Sequence, residues 1–442
     1  LDEAYIPLDY SVSTTTGDTY NIDPSITYIK GNNRHSLRTR FLKVANNNLS
    51  NGADIGQSNS SNTYYTDYQW QKNIEKYKLR ITSGTTNEKV NANSDLFSGK
   101  NYKKNHSLYT QIDKKWNRLN ISLGARYESF SLHSENKYLI DGDSINDLTA
   151  GKPVFRTGLN YQVAEATYVR ASWGQGYRFP SMAELFISTN QSGLEIYPNP
   201  ELKPESGWSS EIGIKQGVRT GKWMGYIDVA AFVQQYDDMM EFSFGQWAVS
   251  QGEANFYGLG FKSVNVGETR ISGLEISISG QGKINPNLTI NVIAGYTYMK
   301  PISLDLDNAY AYEVDIQGAD TIYLGNPITY RSSSSDSTML KYRYKHIAKA
   351  DLEIVYKGFS LGGSFRYNSF MKNIDLIFTQ PIIESPAIGI TGINESREKF
   401  KNGDLIIDLR AGYQITKTAR LGFIVNNLLN TEYMSRPANM MP

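Results

Sequence analysis

The sequence predicts an all-β protein and, within that class, a transmembrane antiparallel β-barrel. Three observations lead there: segment after segment alternates apolar and polar residues, short polar connections alternate with long ones, and the chain is rich in tyrosine while polar on average. Among 442 residues are 31 Tyr, 17 Phe and 6 Trp, yet the mean hydropathy is −0.45. That combination suits a wall of strands in which only every second residue meets lipid. A formal net charge of +1 supplies no global field toward nucleic acid, and the absence of cysteine removes disulfide frameworks, thiolate metal sites and thiol catalysis. No apolar run is long enough for a transmembrane helix. Leu1 is neither an initiator Met nor the start of a signal peptide, which suggests a processed or partial chain.

Sixteen strands are expected in order, near 19–31, 33–47, 61–73, 75–90, 103–115, 117–131, 152–163, 166–176, 206–219, 222–240, 261–283, 287–299, 338–356, 359–373, 404–416 and 419–432. In "RLNISLGARYESF", 118–130, Leu119, Ile121, Leu123, Ala125 and Tyr127 oppose Arg118, Asn120, Ser122, Arg126 and Glu128. The same split recurs in 223–236, in 288–298 and in "DLIIDLRAGYQI", 404–415. A soluble sandwich would alternate in the same way, so alternation alone does not decide. The connections add weight: those near Gly31, Ile74, Lys115, Ala164, Gly221, Asn285, Gly358 and Lys417 are short, whereas 133–151, 178–205, 301–336 and 375–403 are long. Strict alternation places every long loop on one rim, as in outer-membrane barrels with short periplasmic turns. Aromatics agree, with Tyr161, Trp223, Tyr356 and Tyr413 near short turns and Tyr127, Trp173 and Tyr298 near long loops. An even strand count that begins and ends on the long-loop rim implies at least one further strand before the first and one after the last.

Two Pro-bearing boxes interrupt the strands. "VRASWGQGYRFPSMAELF", 169–186, followed by "NPELKPESGWSSEIGIKQG", 199–217, resembles the strand–loop–strand signature of TonB-dependent outer-membrane transporters. "NVGETRISGLEISI", 265–278, and "VNNLLNTEY", 425–433, extend the resemblance in the family's order, and 342–371 looks like its Bacteroidota branch. The resemblance implies a 22-strand barrel filled by an N-terminal plug. Residues 1–442 would then be a single partial barrel domain of about 16 strands, the sixth to the twenty-first, with plug, first strands and final strand outside it. It also implies a bacterial outer-membrane location, with partners that include the lipids, TonB acting through the plug, a small-molecule or metal-chelate ligand and, in some members, a surface lipoprotein. No nucleic-acid partner, cofactor or enzymatic activity is implied.

Physically the boxes suit a structural task at a loop base. Arg178 can bond loop carbonyls, Pro180 and Pro204 end the ladder, and Glu205 or Glu211 can pair with a nearby base. Ligand contacts are expected from Tyr177, Arg178, Tyr197, Trp247, Tyr310 and Tyr312, and lumen or plug contacts from Arg126, Arg170, Glu211, Asp408 and Arg410. His35, His106, His133 and His346 are scattered without metal-ligand spacing, and none lies between the boxes, where the resemblance implies a His for haem transport, which lowers the haem reading. Asp305, Asp307 and Asp315 crowd one loop and suit Ca²⁺ weakly, without EF-hand spacing. The expected function is active import of a scarce ligand, a ferric siderophore foremost. Cobalamin, peptide or oligosaccharide cargo, or a passive porin or adhesin barrel, are the alternatives.

Overall fold

Period-two alternation becomes strands wherever short polar turns let the chain reverse. In the computed structural model, which describes residues 13–50, 53–54, 58–97, 99–140, 143–191, 194–247, 259–312, 315–317, 320–322, 326–381 and 392–433, one antiparallel sheet of 18 strand segments forms the wall. Sixteen staves make it up. The first is Ser13–Ile22 and Ser25–Lys30, both paired with Asn33–Ser50. Asp23-Pro24 divides them, since proline donates nothing to a ladder, and Arg40 clamps Asp23 at 2.8 Å across the break. Asn59–Ile74, Leu79–Ser94, Gly99–Trp116, Leu119–Ile140, Asp143–Ala164 and Thr167–Arg178 follow, each paired with the next. Beyond the two boxes come Glu205–Thr220, Trp223–Asp237, Thr269–Asn285, Leu288–Ser303, His346–Tyr356, Phe359–Asn368, Asp404–Gln414 and Arg420–Val425.

The short reversals carry the left-handed residues such turns require, with φ near +50° to +60° at Gly31, Lys78, Asn117, Gly221 and Lys357. The expected apolar faces point outward: Leu108, Leu123, Ile212, Leu361 and Phe423 are exposed. Both aromatic belts are visible, with Tyr161, Tyr356 and Tyr413 exposed near the short turns and Tyr127 and Trp173 near the opposite rim. Trp223 lies flat instead, its Nε1 donating to the Ile290 carbonyl at 3.1 Å, over Gly225 and Gly280, where a Cβ would collide with the ring.

Four expectations change. The 133–151 loop is a hairpin that prolongs two staves, its ladder reaching Ile140 and Asp143. The 261–283 strand is broken at Gly267, φ +84°, so that Leu259–Asn265 leaves the wall. The 338–356 strand begins only at His346. The last stave ends at Val425, because Asn427 takes a positive φ of 50° and its side chain brackets Thr431.

Buried apolar side chains gather at the long-loop rim. Phe130, Leu132, Leu185, Phe186, Leu202 and Met240 form one cluster. Phe244, Ile374, Phe378 and Ile393 form a second, and Met239, Val264, Val266, Tyr330 and Leu340 a third. The wall needs no inward core because its apolar face is solvated by lipid, whereas the loops above it meet water and must bury theirs.

Candidate ligand-binding crown

The two Pro-bearing boxes build the base of the crown. Pro180 ends the stave, and Ser181 caps the short helix Met182–Phe186 in a capping box with Glu184. That returns the Glu184 carboxylate to Arg178, whose Nη1 donates to both its oxygens at 2.8 and 2.9 Å. Glu205, from the second box, lies 3.7 Å from the same guanidinium and accepts from the Met240 amide at 2.9 Å. Arg178 therefore binds carboxylates, not the loop carbonyls expected, because the capping box brings Glu184 to one terminal nitrogen and the second box brings Glu205 beside the other. Burial opposes the Glu184 charge, but the Ser181 amide and Arg178 hold its carboxyl below the usual range. The second box docks on the first: the Asn199 amide donates to the Leu185 carbonyl at 2.8 Å, and Asn199 Nδ2 reaches Ser263 O at 2.8 Å. Phe179 stacks on Phe130 at 3.7 Å.

On this base sits a four-stranded sheet of Thr189–Gln191, Leu194–Tyr197, Leu259–Asn265 and Met240–Gln246. Its register places Glu195, Tyr197, Gly260, Lys262, Val264, Ser243 and Glu241 on one face. Tyr197 packs on Gly260, where a Cβ would meet its ring, and Trp247 Nε1 donates to the Gly260 carbonyl at 3.0 Å. The Lys262 ammonium stands 5.8 Å from the Trp247 ring centroid. Burial pushes Lys262 below the usual lysine range, with Glu201 opposing. Burial, then the Glu195 carboxylate, pushes the Tyr197 phenol up to about 12. Among the described residues, Tyr197 Oη and Glu195 Oε2 are shielded from solvent without a hydrogen-bond partner.

Beside this face, two long loops are locked by a buried ion pair. Lys341 Nζ bonds Asp375 Oδ1 at 2.7 Å, both side chains being 1% exposed. Ser333, Ser243 and Tyr342 complete the network at 2.9, 3.3 and 2.7 Å. Burial works against the Lys341 charge, but Asp375 holds it above the usual value. Glu241 lies near this pair with Oε1 unpartnered, and burial raises its carboxyl to about 7.

Of the six expected ligand contacts, the crown unites Tyr197, Trp247 and Tyr310, the last packing with Trp247 against the third apolar cluster. Tyr177 lies lower, its ring 5.9 Å from Lys152 Nζ, Arg178 is occupied with its carboxylates, and Tyr312 is 58% exposed. Lys262, Glu195, Glu241, Lys341 and Asp375 escaped the sequence reading. The signal for Lys262 was the alternation of 259–265, masked by reading that segment as barrel; nothing local marks a pair 34 residues apart.

The residues expected at the lumen or plug, Arg126, Arg170, Glu211, Asp408 and Arg410, lie on the polar face of their staves and are engaged in ion pairs there. Arg170 bridges Glu211 and Asp228 at 2.7 and 2.6 Å, and Arg410 grips Asp351 with both terminal nitrogens at 2.7 Å. Arg126 meets Glu128 at 3.2 Å. Asp408 accepts from the Asn427 amide at 2.8 Å and lies 3.4 Å from Arg366. Arg170 and Arg410 each lie over a glycine directly opposite in register, Gly213 and Gly362, where a Cβ would strike the guanidinium. Asp305 accepts from the Glu268 amide and Asn308, and Asp307 pairs with Arg331 at 2.7 Å. The Asp315 side chain lies outside the described residues, and among those described no group of three or more acids or histidines could hold a metal.

A wall of antiparallel hairpins with apolar staves, short turns on one rim and a folded crown on the other defines an outer-membrane barrel of the receptor type. The chain belongs to the TonB dependent receptor-like, beta-barrel family, whose match covers residues 4–428. It is 24% identical over 215 residues to the hemoglobin and hemoglobin-haptoglobin-binding protein A of Haemophilus influenzae, 42% of this chain and 19% of that one. Over 105 residues it is 33% identical to the vitamin B12 transporter BtuB of Vibrio vulnificus, 23% of this chain and 15% of that one. Among solved structures it resembles the Serratia marcescens hemophore receptor HasR, with a TM-score of 0.64 at 14% identity, 96% of this chain and 64% of that one. The ferric-catecholate import receptor Fiu of E. coli gives 0.62 at 15% identity, over 96% and 61%. The chain thus spans less than two thirds of these relatives' lengths.

Proposed function

We propose that the complete protein binds a scarce extracellular ligand in this crown and imports it with energy that TonB delivers through an N-terminal plug inside a 22-strand barrel. Outer-membrane lipids, TonB and, over the crown, a surface lipoprotein are the partners this reading implies. A ferric siderophore is the cargo we favour. The observation that supports it is the meeting of Tyr197, Trp247 and Lys262 at Gly260. Two aromatic rings and a poorly solvated cation suit an anionic metal chelate with aromatic arms, such as a ferric catecholate, whose charge would restore what burial takes from Lys262. A tetrapyrrole is the second reading, favoured by the similarity to the hemoglobin-binding protein of Haemophilus and the vitamin B12 transporter of Vibrio.

Titrating the full-length receptor with ferric catecholate, ferric hydroxamate, haemin and cyanocobalamin, read by tryptophan fluorescence, separates the two. Lys262→Ala should weaken the ferric catecholate about tenfold, the loss of one charge-assisted contact, and leave cyanocobalamin unchanged. Tighter binding of haemin or cyanocobalamin than of either siderophore would replace the first reading with the second.

A further inference from the structure

The outward wall is not uniformly bulky. In register across three adjacent staves, Ser83 stands opposite Thr110 and Thr110 opposite Ala125, a floor of small side chains on the lipid-facing side. Tyr68 and Trp70 wall it on one flank, Tyr127 and Phe155 on the other, leaving an open groove of about 800 Å³. The Ser83 and Thr110 hydroxyls lie 2.9 Å apart and bond each other, so neither demands water.

The groove runs from the level of Thr110 toward the long-loop rim, past Thr85, Leu108 and Pro153, and Ile112 on the outward face lies between its lower end and the short turns, so a chain anchored there would cross Ile112 to enter it. Four residues below Thr110, about 13 Å away at strand rise, Lys114 stands on the same face. Its ammonium donates to the Tyr77 carbonyl and lies 5.9 Å from the Tyr77 ring and 5.4 Å from the Trp116 ring. Lys76 stands 5.5 Å from that same Tyr77 ring. Residues 75–78 and 114–118 hold five cations against a single acid, Glu75. A cationic, aromatic-lined rim below a groove at hydrocarbon depth is complementary to a phosphate joined to an acyl chain.

We propose that this face binds an anionic phospholipid of the periplasmic leaflet, with its phosphate at Lys76 and Lys114 and an acyl chain between the Tyr68/Trp70 and Tyr127/Phe155 walls. Zwitterionic lipid fills the groove equally well but is not selected, because only the phosphate's uncompensated charge rewards the lysines.

The test is native mass spectrometry of the full-length receptor, extracted from outer membranes, delipidated and titrated with phosphatidylglycerol or phosphatidylethanolamine. Retention of phosphatidylglycerol in preference to phosphatidylethanolamine is expected. The Lys76→Ala, Lys114→Ala pair should weaken phosphatidylglycerol about 30-fold and leave phosphatidylethanolamine unchanged. Ser83→Leu with Thr110→Leu, which fills the groove, should lower retention of both, while heat-modifiable gel migration reports an intact barrel. Equal retention of the two lipids, indifference to the lysine changes, or a doubled mass abolished by filling the groove, which would mean a second copy, each overturns the proposal.

Discussion

Arg178 shows how a residue can be read for its place and misread for its partner. Its position after the stave pointed to a loop-fixing role, and the structure gives it two carboxylates, one of them delivered by a capping box that "PSMAEL" encodes locally. Glu241 had no such local signal. Its carboxyl, near Lys341, Arg343, Asp375 and Tyr330, titrates at about 7 instead of 4.5, with burial the dominant cause. The folded crown therefore holds a proton that the unfolded segment has lost between those values. The contribution is complete below the lower value and disappears as pH rises through the upper one. Exchange of the 240–246 amides, corrected for intrinsic rate, should be faster at about pH 8 than at about pH 5.5. Glu241→Gln should abolish that difference; persistence of the difference in the variant would assign it to another group.

At the level of elements, the crown is held by loops that recognise one another rather than by the wall. Ser334 bridges Asp375, the Tyr342 amide donates to Asn373 O at 2.8 Å, and Lys341 and Asp375 lie between them without solvent. Removing one member strands the other's charge, so Lys341→Met should destabilise the crown by about 3–5 kcal/mol. Adding Asp375→Leu should recover part of that loss, since no charge is then left buried. Limited proteolysis within 331–380, at several urea concentrations, measures both effects. A crown indifferent to Lys341→Met would mean that the pair is relaxed by water. These contacts were illegible beforehand because they join segments far apart in the chain, with no periodic pattern. The staves were legible because lipid on one face and water on the other impose an alternation that needs no knowledge of the neighbour.

For the whole molecule, several charges on the wall's polar face are already satisfied by one another. Arg170 with Glu211 and Asp228, and Arg410 with Asp351, form a polar lining that is stable before anything enters. Transport by the proposed route requires external energy, so uptake into cells should saturate with ligand and collapse when a protonophore removes the proton-motive force. Uptake that rises linearly with concentration and ignores the protonophore would instead mark a passive channel. The amino-acid order by itself determined the sixteen staves, their outward faces, the rim that bears the long loops and the family, because each follows from local periodicity, turn chemistry or contiguous motifs. Only the tertiary structure decided that Leu259–Asn265 leaves the wall for the crown, that Tyr197, Trp247 and Lys262 meet, and that Lys341 is buried against Asp375. Those outcomes depend on the packing of distant loops against one another, where a single residue's surroundings are set by partners its own neighbours in sequence do not reveal.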